Sequence, residues 1–446
     1  MLSCSFSSAV RWGLLASVVV VFPARADDPV RLSERFPVGY TYQVRARVQL
    51  SGTLTVPGEK GKPAPKPLTM TGESAIDYDE RVLSLDRDGR VARTVRVFRR
   101  IDFERLLGET TQKITLRPAV RRVVMLRLNN TEVPFSPDGP LTWGEIDLLR
   151  TDVFTPALVG MLPDGAVRVG DRWQASLSSV QELTDLEKIE GGTLTCRLER
   201  VAVVDKRREA RVSLSGTVRG TNEDGPTRQE LEGYFLFDLE SNHLSYLALR
   251  GRHFLLDGEG KEMGRVEGRF VLMRQAPHRS AELSDQALRG VALDPTAENT
   301  RLIYDNADLG VSFLYPRRWR VSGVQGQQIT LDGADGSGML LTVDPLQRVP
   351  TGAQFLTESR DWLQKQKARI VRIVQPQAVQ AAPLALEHFA LETEMGGQKV
   401  IMDYYVARQA AGGVTLAARL LPKDAAALQR EVEGIARSLR LTRPAR

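Results

Sequence analysis

Tyr40-Thr41-Tyr42-Gln43-Val44-Arg45-Ala46-Arg47-Val48-Gln49-Leu50 alternates apolar and polar side chains without a break. A period of two puts the tyrosines, valines, Ala46 and Leu50 on one face of a strand and the arginines and glutamines on the other. The same grammar recurs downstream. Arg81–Leu85 and Val91–Phe98 flank Asp86-Arg87-Asp88-Gly89-Arg90, which reads as a hairpin with an Asp-Gly turn. A calcium loop would need further oxygen ligands and a closing glutamate at fixed spacing, and these are missing. Further strands are expected at 112–117, 120–128, 193–204, 209–218, 230–238, 244–256 and 265–274, with a turn at Asn129-Asn130. Pro57–Pro67, rich in Pro and Lys, reads as an exposed loop. Helical spacing is confined to Trp143–Arg150, where Trp143, Ile146 and Leu149 share a face, and to Pro156–Met161. Residues 27–277 are therefore expected to form an antiparallel β-rich domain with a short helical insert.

An internal echo runs through this region. Val38-Gly39-Tyr40-Thr41-Tyr42 resembles Val169-Gly170-Asp171-Arg172-Trp173, and Val48-Gln49-Leu50-Ser51-Gly52-Thr53 resembles Val212-Ser213-Leu214-Ser215-Gly216-Thr217. The two offsets differ, so a strict repeat fails, and a degenerate duplication or ordinary β grammar both account for it. Residues 278–300 carry Pro277, Gly290 and Pro295 at their margins and interior, show little period and read as a linker.

The grammar changes at 301. Val311–Tyr315 alternates and stops at Pro316, and strands are expected at 328–331, 339–343, 370–374, 385–394, 399–407 and 414–421. The glycines of 323–338 and Gly396-Gly397 are read as turns. Phe355, Leu356, Trp362 and Leu363 mark a helix starting near Thr351, and Leu428, Val432, Ile435 and Leu439 mark a second, with Asp424 as its N-cap. Two helices and several antiparallel strands make 301–446 an α+β layer domain. The expected fold class is α+β, mainly β.

The N-terminus reads as an export signal, with an N-terminal membrane anchor as the alternative. Arg11 precedes the apolar run Trp12–Phe22, and Ala24-Arg25-Ala26 precedes Asp27-Asp28, the order of a cleavable secretory signal over residues 1–26. No later stretch is long and apolar enough to span a bilayer as a helix. The mature chain is expected in the periplasm or outside the cell. Cleavage removes two arginines, so a balance of +6 becomes +4. That small excess, carried by pairs such as Arg99-Arg100, Arg121-Arg122 and Arg207-Arg208, is not the clustered basic face of a nucleic-acid-binding protein. Cleavage also removes Cys4, leaving Cys196 without a disulfide partner in an alternating strand.

Tyr304-Asp305-Asn306-Ala307-Asp308-Leu309-Gly310-Val311-Ser312-Phe313-Leu314-Tyr315-Pro316, followed by Trp319, resembles the opening of the PsbP/Mog1-like families, and Ser438-Leu439-Arg440-Leu441 after the last helix resembles their close. The resemblance covers about a third of the chain. It implies an α/β/α sandwich and roles in binding and assembly more than catalysis. No corresponding metal ligands occur, so no metal role follows from it. The preceding region resembles uncharacterised exported β-rich domains of bacteria, which attaches no activity to it.

Motifs for chemistry are lacking: there is no Gly-x-Ser-x-Gly elbow, P-loop, His-Glu-x-x-His or Cys-x-x-Cys. His243 and His253 on one strand would lie roughly 30 Å apart, too far to share a metal. No catalytic residue, metal ligand or cofactor is assigned. Three functions follow, in this order: a non-catalytic envelope protein that binds another protein; a carrier of a lipid or other apolar ligand inside the N-terminal sheet; and a hydrolase using Cys196 or a histidine. The candidate contact surface is Arg317, Arg318 and Trp319, with a packed Trp319 and solvated arginines as the ordinary alternative.

Overall fold

The computed structural model describes residues 28–55, 67–128, 131–223, 225–381 and 384–442. The segment read as an export signal, nearly all of the stretch read as the Pro57–Pro67 loop and the Asn129-Asn130 pair lie outside the described residues.

The first part of the chain contains β1 (Val30–Arg31), β2 (Thr41–Leu54), β3 (Leu68–Leu85), β4 (Val91–Leu107), β5 (Thr110–Thr115), β6 (Arg122–Leu128) and β7 (Thr131–Phe135). Helix α1 (Trp143–Leu149), β8 (Ala166–Val167), β9 (Arg172–Gln174) and α2 (Leu177–Thr184) form an insert. Then come β10 (Lys188–Val204), β11 (Arg207–Asn222), β12 (Gly225–Asp238), β13 (His243–Leu256) and β14 (Glu262–Gln275). One antiparallel sheet takes up all but β1 and β8, in the order β7-β6-β4-β3-β2-β14-β13-β12-β11-β10-β9, with β5 on β4. The last strand, β14, lies beside the first long one, β2, and two meanders fan out from that seam. Among the described residues the end strands β7 and β9 do not pair with each other, which leaves the sheet open.

Glycine lets the sheet bend. At Gly216 an added Cβ would sit 2.0 Å from the Thr193 carbonyl oxygen, and at Gly52 2.1 Å from that of Arg265. Neighbouring backbones there occupy the space of a side chain, a close approach that only glycine permits and that curved sheets use for sharp bending. Gly39 and Gly170, paired in the sequence echo, both have positive φ (85° and 98°) just ahead of β2 and β9.

The insert fills one face of the bend. Thr142 caps α1 with a reciprocal bond to Glu145, and Ser176 caps α2. Ile146, Leu149, Phe154, Leu158 and Met161 are buried with Val44, Ala46, Ile76, Leu214 and Phe235 of the sheet. Each such side chain contributes about 1.5–3 kcal/mol by leaving water. Helix α2 escaped the sequence reading because only Leu177, Val180 and Leu183 are apolar in it, and Leu177 is exposed.

Residues 278–300 include the single-turn helix α3 (Asp285–Leu288) and cross the opposite face of the sheet. Leu283 is buried among Val95, Val97, Val124 and Phe135. Arg81, Arg93 and Arg121 form ion pairs with Asp285, Asp294 and Glu282.

The C-terminal part contains β15 (Leu302–Asn306), β16 (Val311–Tyr315), β17 (Trp319–Gln325), β18 (Gln328–Gly333), β19 (Gly338–Asp344) and α4 (Gly352–Lys365). It continues with β20 (Arg369–Ala381), β21 (Leu384–Met395), β22 (Gln398–Gln409), β23 (Gly412–Leu420), α5 (Ala425–Ser438) and β24 (Arg440–Leu441). Seven of these strands form an antiparallel sheet, β17-β18-β19-β23-β22-β21-β20, and β15-β16-β24 form a small one. Helix α4 packs Leu356 and Leu363 onto Phe389, Leu391 and Tyr404, while α5 packs on the opposite face, beside Asp403 and Tyr405. The result is a sheet between two helices, and the whole chain is α+β, mainly β. Two sequence readings are corrected here. Gly323 lies within β17 and Gly333 and Gly338 within β18 and β19; the turns use Gly326 and Gly336. Asp424 precedes α5 in a left-handed conformation, but its carboxylate makes no capping bond.

The two parts share one continuous core. Ile303 N–H donates to the Leu141 carbonyl (2.9 Å), and the Arg320 guanidinium lies over the Trp143 ring at 5.6 Å.

Gly216→Ala should lower stability by about 1–3 kcal/mol, the usual cost of forcing extra volume into a packed site. Gly191→Ala, where a Cβ meets nothing within 4 Å, should be close to neutral. Urea denaturation midpoints of the two variants, monitored by tryptophan fluorescence, check this.

Candidate functional site

The large sheet has two distinct ends. At the end near Tyr42, the insert closes over a buried charged network. Arg96 of β4 donates from Nε to Glu80 Oε1 of β3 (2.8 Å) and from Nη1 to Asp152 Oδ2 of the insert (2.9 Å). Glu80 also accepts from the Tyr42 hydroxyl (2.6 Å) and the Thr94 hydroxyl (2.6 Å). Thr155 bonds the Tyr42 hydroxyl at 3.1 Å. The Arg96 guanidinium lies over the Tyr78 ring at 4.6 Å. All three charged side chains are almost fully enclosed.

Beside this network, Arg127 of β6 binds Glu182 of α2 at 2.9 Å, and Glu182 also accepts from the Phe154 N–H. Glu132 of β7 shares this space. Burial and the neighbouring Glu182 charge push its carboxyl up to about 8. Burial likewise raises Asp152 to about 6, against the pull of Arg96. Through Arg96–Asp152 and Arg127–Glu182 this end ties the insert to the sheet.

The other end of the sheet holds a trough of about 1120 Å³. Strand register defines it as three adjacent rows running across the strands. The first outward row reads Glu104, Glu73, Gln49, Arg269, Arg250, Glu232 and Ser215 on β4, β3, β2, β14, β13, β12 and β11. The second reads Leu106, Thr71, Ser51, Glu267, Arg252, Glu230 and Thr217 on the same strands. Alternation places both rows on the face away from the buried core. The row between them, Gly72, Leu50, Gly268, Gly251, Leu231 and Gly216, points to the core side, so it offers the trough only its backbone as the floor. The lining is thus mainly polar and charged.

Its electrostatics are uneven. In the second row Glu230 pairs with Arg252 (3.3 Å) and Glu267 with Arg265 (2.5 Å). In the first row Glu73 lies directly opposite Glu104, and Arg269 directly opposite Arg250. Lys113 reaches Glu104 at 3.3 Å. Among the described residues, Glu73, Arg250 and Arg269 make no ion pair.

The residues singled out from sequence lie elsewhere. Arg317 is largely buried and donates to the Thr300 carbonyl (2.8 Å) and the Pro134 carbonyl, joining the C-terminal part to β7. Burial lowers its pKa to about 10. Trp319 is fully buried, and its indole N–H donates to Glu431 (2.8 Å). Arg318 stays partly exposed between Asp335 (3.5 Å) and Glu431 (3.7 Å). The three therefore do not form one outward patch: a chain that turns at Pro316 feeds Trp319 into the core.

The hydrolase candidates fare similarly. Cys196 is buried in the core, and burial pushes its thiol up to about 12, so it is no thiolate at neutral pH. His243 Nδ1 bonds the Ser241 hydroxyl (2.9 Å), His278 lies 3.4 Å from Asp79, and His388 Nε2 bonds the buried Asp403 (2.8 Å). Among the described residues, no group of three His, Cys, Asp or Glu side chains is arranged to hold a metal ion.

Two outcomes follow. Arg96→Met should cost about 3–5 kcal/mol, because it strands Glu80 and Asp152 without their partner; chemical denaturation reads this. Glu132 and Asp152 hold protons more tightly when folded, so their contribution to stability is complete below about 4 and is lost as pH rises through about 6 to 8. Melting temperatures across this window should fall for the wild type and flatten in Glu132→Gln.

No family model matches the chain, and no curated protein matches it. Among solved structures, it is similar to cyanobacterial PsbP from Synechocystis sp. PCC 6803, at 12% identity over 32% of this chain and 92% of that one, TM-score 0.25. It is also similar to a lipovitellin structure described for its lipid–protein interactions, at 9% identity over 55% of this chain and 26% of that one, TM-score 0.30. The chain thus spans about a quarter of the lipovitellin's length. These are weak likenesses that assign no activity.

Proposed function

We propose that this chain is an exported, non-catalytic envelope protein that binds a partner protein in the trough of its large sheet. The observation that carries the reading is the trough itself: an open recess of about 1120 Å³ whose lining is mainly polar and whose floor is backbone. Protein surfaces offer matching polar groups, and recognition by complementary charge is a common use of such faces. The N-terminal Arg11, Trp12–Phe22 and Ala24-Arg25-Ala26 pattern supports export. The PsbP/Mog1-like pattern at 304–319 supports an assembly role for the C-terminal part.

The apolar-carrier reading needs an apolar hollow on the core side of the sheet. Ile146, Leu149, Phe154, Leu158 and Met161 of the insert occupy that side. A hydrolase reading built on Cys196 is opposed by the burial of its thiol.

A photo-crosslinking amino acid placed at Ser51 or Thr217, in the trough, tests the reading in producing cells. Discrete protein adducts from both positions, absent from the exposed turn residue Lys206, are expected. No protein adduct, together with a native mass spectrum showing a solvent-extractable lipid on the purified chain, would overturn it in favour of the carrier.

A further inference from the structure

We infer that the trough recognises an extended peptide carrying an acidic and a basic side chain four residues apart, laid across the strands. This rests on the trough being the binding site. Like charges directly opposite on adjacent strands are destabilising. The first outward row nevertheless contains two such pairs, Glu73 with Glu104 and Arg269 with Arg250, separated by the strand that carries Gln49; their outer members have an opposite charge beside them, Lys113 at Glu104 and Glu232 across from Arg250, and among the described residues their inner members Glu73 and Arg269 have none. The neighbouring row contrasts with it, since its charges are largely satisfied by Glu230–Arg252 and Glu267–Arg265.

The geometry then selects the ligand. The centre of the Glu pair and the centre of the Arg pair are three strand spacings apart, about 14 Å at ~4.8 Å per strand. An extended peptide rises ~3.4 Å per residue, so residues four apart on one face are also separated by about 14 Å. A glutamate or aspartate of the peptide sits over Arg250 and Arg269, where two guanidinium groups offer charge-assisted hydrogen bonds. Its lysine or arginine sits over Glu73 and Glu104. The intervening residues lie over Gln49, whose amide both donates and accepts. The row between the two outward rows points to the core side and leaves its backbone as the base of the recess.

The test uses fluorescein-labelled threonine-rich heptapeptides titrated into the full-length protein at low ionic strength, read by anisotropy. One peptide carries lysine and glutamate four residues apart. The comparison peptides carry them two residues apart, or carry only the glutamate, or only the lysine. The four-residue spacing should bind at least tenfold more tightly than each of the others. Arg250→Gln/Arg269→Gln should lose that advantage without lowering the melting temperature, because it removes a repulsive pair. Glu73→Gln should lose the contribution of the lysine alone. Equal binding of the glutamate-only peptide, or indifference to spacing, would overturn the inference. If Ser51 and Thr217 still crosslink to protein in cells, that failure leaves the trough as a binding site; if they do not, the site itself falls.

Discussion

The Arg96 guanidinium is the point on which the N-terminal part depends. It sits out of water between Glu80 on the adjacent strand and Asp152 on the insert, with Tyr78 beneath it. A buried ion pair is not a large net source of stability, since desolvation offsets most of its attraction. Its worth lies in selectivity. Asp152 meets the arginine from the insert, which ties the helical segment to the otherwise apolar sheet face at this point. That position fills the core side of the bend, and the trough lies on the outer side.

Bending and charge placement come from the same strands. The core-side row, rich in glycine, whose backbone forms the floor lies between the two outward rows that supply the charges. Because alternation is strict, changing register by one residue would bury Arg250 and Arg269 and expose Leu249. Core packing at the Tyr42 end therefore fixes the side-chain pattern at the far end, where Gln49, Glu73 and Glu104 lie seven or eight residues along their strands from Tyr42, Glu80 and Arg96.

Much of this was legible in the sequence. The Tyr40–Leu50 alternation, the Asp86–Arg90 turn and the apolar spacing around Leu356 and Leu428 report local preferences, and local structure follows them. The open sheet order was not legible, because the β2–β14 seam joins segments more than 200 residues apart. Nor was the trough: Glu73, Arg269 and Arg250 look like ordinary solvated residues until register aligns them. Arg317 and Trp319 misled for the opposite reason. A basic pair followed by an aromatic residue has the composition of a contact patch, but the turn at Pro316 sends Trp319 inward to Glu431 and Arg317 across to Pro134. Residues 278–300 lack periodicity, and a single buried side chain, Leu283, is enough to anchor such a segment.

The β2–β14 seam also imposes an order on the chain's maturation. β2 through β7 can assemble as soon as they emerge, but β2 then presents a bare edge until β14 arrives. An unpaired edge of fourteen alternating residues is a template for wrong pairing with another chain. The nascent protein is consequently most prone to aggregation when it is half made, and any holdase that accompanies it has its natural target in β2 rather than in the C-terminal sandwich.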